Sequence, residues 1–391
     1  MTAGDINMDD ELTDPHQERA GIEDGVALSL SGGGYRAMVF HVGALYRINE
    51  VGLLGKLARI SSVSGGSIAA GALGLLWGKL QFENGKAAKF DLLVERIRAM
   101  ADTTVDVGAV IGGIFSSLSI SEKVARAYDD VLFNGAKLRD LPDDSQKKAP
   151  RFVINATNVQ SSALWRFSRP YMGDHLVGLV KDPDVLLCAA VAASSAFPPV
   201  LSPMVLPIRQ HVEATTGSQL NRPPFTTQAV LSDGGVYDNL GLETTKRFKT
   251  LLVSDAGQKI APEEKPHHDW VRHSMRILDT IDNQVRSLRK RHLIEAYKRG
   301  DHTGAFWGIR TTFSDYQLTS DPLKCKDRDP SALAAVPTRL ERMPRKLQNQ
   351  LMNWGYAICD AALRKHIGAE LQTRLGIQIA DPTGFPFPDE Y

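Results

Sequence analysis

Cysteine is scarce in this chain. Cys188, Cys325 and Cys359 are its three cysteines in 391 residues, far apart and in no C-x-x-C pair. A disulfide framework and a cysteine zinc site are thereby excluded, and a reducing, cytoplasmic setting is expected. Net charge is equally scarce: 46 Lys and Arg against 45 Asp and Glu leave +1, which gives no electrostatic reason to expect nucleic acid as a partner. Long hydrophobic runs are missing too. The longest apolar stretches, 67–78 and 107–118, are rich in Gly, Ala and Ser and fall short of the ~20 residues that a bilayer span needs. Residues 1–24 cluster Asp9, Asp10, Glu11 and Asp14 without the apolar core of an export signal, so they read as a disordered acidic tail. With no internal repeat and no sharp shift of composition, residues 25–391 are expected to form one domain with long excursions.

Organised sequence starts at Val26. The run 26–30 is short, apolar and bounded by glycines, the pattern of a buried parallel strand. A helix follows, its apolar face carried by Met38, Val42, Leu45 and Ile48, and a second strand over 57–63 leads into another helix that starts near Ser67. Strand, helix, strand and helix within this length point to an α/β fold built on a mostly parallel central sheet. Helical patterns run from 90 to 133, with 107–118 as their irregular part. Further strands are expected at 151–155, 164–167, 229–232 and 251–254. An amphipathic helix carries Val271, Met275, Leu278, Ile281, Val285 and Leu288 at helical spacing, and a final helix covers 347–365.

Two loops carry chemistry. Gly32, Gly33 and Gly34 lie between a strand and a helix, where free N–H groups at a helix N-terminus favour a phosphate or a developing oxyanion. The same loop fits the dinucleotide pattern G-x-G-x-x-[GA], but that reading requires an acid at the end of the second strand. Serines stand there instead, in Ser62-Val63-Ser64-Gly65-Gly66. A serine on a tight strand-to-helix turn among small residues has the arrangement of a nucleophile elbow, with Ser62 replacing the first glycine of G-x-S-x-G. On the motif alone, a Ser-Gly turn that caps a helix is the more common role. For a base, His41 lies within the first helix and reads as a packed residue. His267, His268 and His273 allow a Ser–Asp–His order but neighbour a charged, solvated loop. Asp233 and Asp255 each end a strand, where sites in open α/β sheets lie. Spacing does not choose between them, and a turn or cap aspartate is the bland role of either.

Taken in order, Gly32-Gly33-Gly34-Tyr35-Arg36, Ser62-Val63-Ser64-Gly65-Gly66 and Asp233-Gly234-Gly235 resemble the patatin-like phospholipases. The resemblance extends through Asn155-Ala156-Thr157-Asn158, the stretch from Ala193 to Pro199, Val236-Tyr237-Asp238-Asn239-Leu240-Gly241 and the C-terminal Asn353-Trp354-Gly355-Tyr356. It implies a three-layer α/β/α fold and a Ser64–Asp233 dyad that cleaves acyl esters of membrane phospholipids without a catalytic histidine. It further implies an oxyanion hole from the Gly32, Gly33 and Gly34 loop with Arg36 nearby, and neither a cofactor nor a metal. Transient contact with a membrane surface is expected. Residues 107–118 are candidates for a lid or a core helix, and Arg286, Arg289, Lys290, Arg291 and Lys298 for attracting anionic lipid or forming a solvated helix face. Some bacterial relatives act only when a nucleotide messenger binds, so a small-molecule activator is compatible with the resemblance. An α/β-hydrolase with a histidine base and a non-catalytic phosphate-binding module are the competing readings.

Overall fold

The computed structural model describes residues 21–105, 119–258 and 260–388. The expectation for residues 107–118 and most of the acidic tail lie outside them. The first strand, β1 (Glu23–Leu30), begins three residues before Val26 and leads into helix α1 (Gly34–Glu50). Strand β2 (Arg59–Val63) and helix α2 (Gly65–Leu76) complete the strand–helix–strand–helix unit, and α3 (Asp91–Ala101) and α4 (Ile120–Tyr128) follow. Next come β3 (Arg151–Asn158), β4 (Ala163–Phe167), β5 (Tyr171–Asp174), β6 (Gly178–Lys181), helix α5 (Leu187–Ser194), β7 (Met204–Pro207), β8 (Gln228–Asp233) and β9 (Phe248–Asp255). The chain then forms the long helix α6 (Trp270–Arg299), β10 (Thr303–Gly308), α7 (Arg345–His366) and α8 (Gly368–Leu375).

The sheet runs β10-β9-β1-β2-β3-β4-β5-β6, with β8 paired to β3 and β7 to β8. Its heart, β10 through β3, is parallel. The strands beyond it are antiparallel. Side-chain alternation explains the layering. Leu28 and Leu30 of β1 join the large core beneath α1, α2 and α7. Ala27, with Leu251, Val253 and Phe306, faces the opposite way and packs with Leu293 of α6. Helices therefore cover both faces in a three-layer α/β/α arrangement. Helix α7 is tied to α1 by a fully buried ion pair between Arg47 and Asp360 at 2.7 Å, and Arg364 holds the same carboxylate at 2.8 Å.

One junction positions the candidate site. Strand β2 runs parallel to β3 as far as the Val63–Asn155 pair. On the same edge of β3 the next residue, Ala156, pairs with Asp233 of antiparallel β8. Two strands arriving from opposite directions thus end against each other, and the residue following β2 is Ser64.

Helix α6 departs from its expected orientation. The basic side chains expected to attract lipid or form a solvated face point largely at the body. Arg286 is buried and donates to the Gln258 carbonyl, Arg289 pairs with Glu243 at 2.5 Å, and Lys290 lies over the Phe306 ring. The apolar stripe faces outward instead, with Leu278 and Ile281 exposed.

Candidate active site

Ser64 stands at φ 50°, ψ −119°, a backbone conformation that L-residues avoid unless their surroundings enforce it. The enforcement is local. A Cβ at Gly65 would sit 2.1 Å from the Gly34 carbonyl oxygen, so the turn after Ser64 lies directly against the glycine loop of β1–α1. The Ser64 N–H donates to Ser194 Oγ at 2.9 Å. Ser194 Oγ lies 2.9 Å from Ser67 Oγ, which donates to Ser62 Oγ at 3.0 Å. The serine in place of the elbow glycine is therefore part of a buried hydroxyl chain that braces the turn. Nothing in the sequence marks Ser194 as a site residue by itself. Its only signal there is a serine pair closing an alanine-rich helix.

The end of α5 holds Asp233 as well. The Asp233 N–H donates to the Ala196 carbonyl at 2.9 Å and the Gly234 N–H to the Ser194 carbonyl at 3.2 Å. Thr157 Oγ1 donates to the Asp233 carbonyl at 2.8 Å. The carboxylate itself accepts from the Gly235 N–H at 2.7 Å. Burial drives its pKa up to about 7, against hydrogen bonds from the Gly235 N–H and the Ser64 hydroxyl that pull it down; the charge of Asp282 adds to the rise. Ser64 and Asp233 are thus brought together, with the carboxyl half ionised near neutrality.

The glycine loop divides its roles. Gly33 at φ 140° and Gly34 at φ 58° adopt conformations that suit glycine, and among the described residues their N–H groups donate to no protein acceptor. They open helix α1, whose N-terminal dipole favours negative charge. The Gly32 N–H is used differently, donating to the Asn239 carbonyl at 3.2 Å, while a Cβ at Gly32 would lie 3.2 Å from the Cβ of Ser64. Arg36 also differs from expectation. It is fully buried, and its Nε and Nη2 donate to the Ala256 carbonyl at 3.1 and 2.8 Å while Nη1 donates to the Val336 carbonyl. Burial lowers its pKa to about 10, partly offset by Asp255. Arg36 fixes the loop against the end of β9 and the Val336 carbonyl.

The remaining candidates separate. Asp255 accepts from the Gly257 N–H at 2.9 Å and closes a turn. His41 is fully buried between Ser254 Oγ at 2.8 Å and the Ser31 carbonyl at 2.9 Å, and burial lowers its pKa to about 4. It is a neutral packing residue. His267, His268 and His273 are exposed, whereas Ser64 and Asp233 are buried. Phe197 and Val236 are each half exposed and adjoin residues that grip Asp233. A cavity of 340 Å³ between α2, α3 and the turn at Phe133 lies away from the dyad. Among the described residues no cluster of His, Cys, Asp and Glu has metal-binding geometry, and no helix is long and apolar enough to cross a membrane.

The family model described as patatin-like phospholipase matches residues 28–246, a span that contains the glycine loop, Ser64 and Asp233. No curated protein matches the chain. Human GIVD cytosolic phospholipase A2, solved with methyl gamma-linolenyl fluorophosphonate, is 14% identical with a TM-score of 0.46, over 93% of this chain and 59% of that one. VipD from Legionella pneumophila is 15% identical with a TM-score of 0.35, over 89% of this chain and 68% of that one. The chain thus spans less than two thirds of the human protein.

Proposed function

Because the chain belongs to the patatin-like phospholipase family, we propose that it is a lipid acyl hydrolase that cleaves carboxylic esters of membrane glycerophospholipids. The observation that carries this reading is the end-to-end meeting of β2 and β8 on one edge of β3, which joins a strained serine to a buried carboxyl. Asp233, with a pKa of about 7, is suited both to take a proton and to return it near neutral pH.

In the proposed reaction the Asp233 carboxylate takes the Ser64 hydroxyl proton as Oγ attacks the acyl carbonyl carbon. The negative charge forming on the carbonyl oxygen is met by the Gly33 and Gly34 N–H groups, and loss of one such donor typically costs ~3 kcal/mol of barrier. Asp233 then passes its proton to the departing alkoxide, releasing the lysolipid and leaving the acyl group on Ser64. A water enters, gives its proton to Asp233 and attacks the ester. The fatty acid leaves and the proton returns to Ser64 Oγ. Gly32 and Arg36 hold the loop in place, and Phe197 and Val236 offer an apolar rim suited to acyl chains. The exposed histidines and the neutral, doubly bonded His41 weigh against a histidine base.

The test is fatty-acid release from mixed phospholipid vesicles by wild type and by Ser64→Ala, both in chelator. Release by wild type alone is expected. Equal release by both moves the nucleophile elsewhere. Release by neither, from vesicles or from a soluble short-chain ester, favours a binding module that uses the glycine loop without catalysis.

A further inference from the structure

Helix α6 is amphipathic with its polarity inverted. Between residues 276 and 290 its charged side chains Arg276, Asp279, Asp282, Arg286, Arg289 and Lys290 are half-buried or buried, whereas Ile277, Leu278, Ile281, Val285 and Leu288 are exposed. Leu278 is 59% exposed, and Trp270 at the helix start is 81% exposed. The exposed residues in this stretch bear no charge. A free helix end in water would show the opposite pattern.

The spacing identifies the kind of partner. Val271, Ser274, Leu278, Ile281, Val285 and Leu288 follow one another at alternating steps of three and four, five of the six being apolar. A strict repeat of this kind makes a narrow seam that packs against another helix, not the broad arc that lies on a lipid surface. Neutral polar residues Thr280, Gln284 and Ser287 interrupt the exposed face; the two hydroxyls donate back to the helix carbonyls of Arg276 and Asn283, but acyl chains would offer the Gln284 amide no partner. Between residues 276 and 290 the face also lacks the exposed cations that draw helices to anionic lipid, and exposed Arg272 and Arg291 stand only at its ends.

We propose that this seam pairs antiparallel with the same seam of a second copy of the chain about a two-fold axis. Set antiparallel about the midpoint between Leu278 and Ile281, Val271 meets Leu288, Ser274 meets Val285 and Leu278 meets Ile281 of the second copy. Each residue of one half of the repeat thus faces one of the other half. On the flank of this register the exposed Trp270 comes within reach of the exposed Arg291 of the second copy, two residues beyond the position directly opposite, as a cation–π pair; among the described residues neither group has a side-chain partner within its own chain. The five apolar seam residues with the flanking Trp270 and Ile277 are between 38% and 81% exposed, which at ~200 Å² for a large side chain leaves roughly 700 Å² per chain. The pair would bury about 1,400 Å², within the ~1,200–2,000 Å² of stable interfaces.

Light scattering of the full chain at roughly 50 µM, above the ~µM dissociation constants that weaker interfaces of this size reach, should give twice the chain mass. Leu278→Glu and Ile281→Glu should give the single-chain mass with unchanged circular dichroism, since both sites are exposed. The native cysteines are buried, so Ser274→Cys combined with Val285→Cys should cross-link two chains when diamide oxidises the facing thiols. Leu278→Cys cross-linked to itself in preference would indicate parallel helices and overturn the register. A wild type that stays at single-chain mass overturns the proposal. If that monomer also sediments with phosphatidylcholine–phosphatidylglycerol vesicles and Leu278→Glu does not, the face belongs to lipid.

Discussion

Asp233→Asn should abolish turnover and yet stabilise the protein above neutral pH. The carboxyl is buried and its pKa stands at about 7 instead of 3.8. A raised folded-state pKa means that the folded protein keeps its proton where the unfolded chain has lost it. The stability this proton contributes is complete below about pH 4 and declines as pH rises to about 7, beyond which the folded protein carries an ionised buried carboxylate. A difference of about three units corresponds to ~4 kcal/mol across that window. Asparagine removes the ionisation and keeps an oxygen to accept from the Gly235 N–H. The assay is the unfolding midpoint of both proteins by circular dichroism from pH 4 to pH 8, read as a difference so that other titrating groups cancel. Near pH 4 the two should nearly coincide; at pH 8 the variant should unfold several degrees higher. A difference that stays flat with pH, or a variant less stable at pH 8, would refute the assignment of a raised pKa to this carboxyl. Wild-type kcat/KM should rise with pH on the same group and level off above about 7.

Gly65→Ala sets a Cβ 2.1 Å from the Gly34 carbonyl oxygen. It should lower kcat by more than ~100-fold, the scale of losing an oxyanion donor, with a stability cost of ~1–3 kcal/mol from overpacking, read by turnover and urea unfolding. Ser194→Ala leaves the Ser64 N–H without its acceptor; kcat should fall while KM holds, and stability should drop by ~1–3 kcal/mol. Phe197→Asp changes a half-exposed side chain at the rim, so KM for vesicles should rise while kcat/KM for a soluble short-chain ester holds, as parallel assays would show.

How much of this was legible in sequence depended on range. β1, α1 and β2 were readable because buried parallel strands are short apolar runs and α1 keeps a helical period. β8 was readable as a strand, but its direction and its place on the edge of β3 depend on pairing with residues some 75 positions away. That pairing, more than any motif, joins Asp233 rather than Asp255 to Ser64. Strands β5, β6 and β7 leave no mark in the sequence because four-residue strands such as Tyr171–Asp174 carry no period. The glycine loop is visible in the sequence, but its division of labour is not. The Gly32 N–H and the Arg36 guanidinium are taken by carbonyls of Asn239, Ala256 and Val336, partners that only the tertiary fold supplies. α6 was recognised as amphipathic, yet periodicity fixes that a helix has two faces without saying which turns inward. Ion pairs from Arg289 to Glu243 and Asp238 decide that here.

The central claim is that Ser64 is the acylated nucleophile, and a lipid fluorophosphonate tests it directly by forming a stable phosphonyl ester with an activated serine. After reaction the chain should gain the mass of one phosphonyl group, peptide mapping should locate it on Ser64, and lipid hydrolysis should be lost in proportion. An adduct on Ser62, Ser67 or Ser194, or full hydrolysis with Ser64 unmodified, would contradict the account.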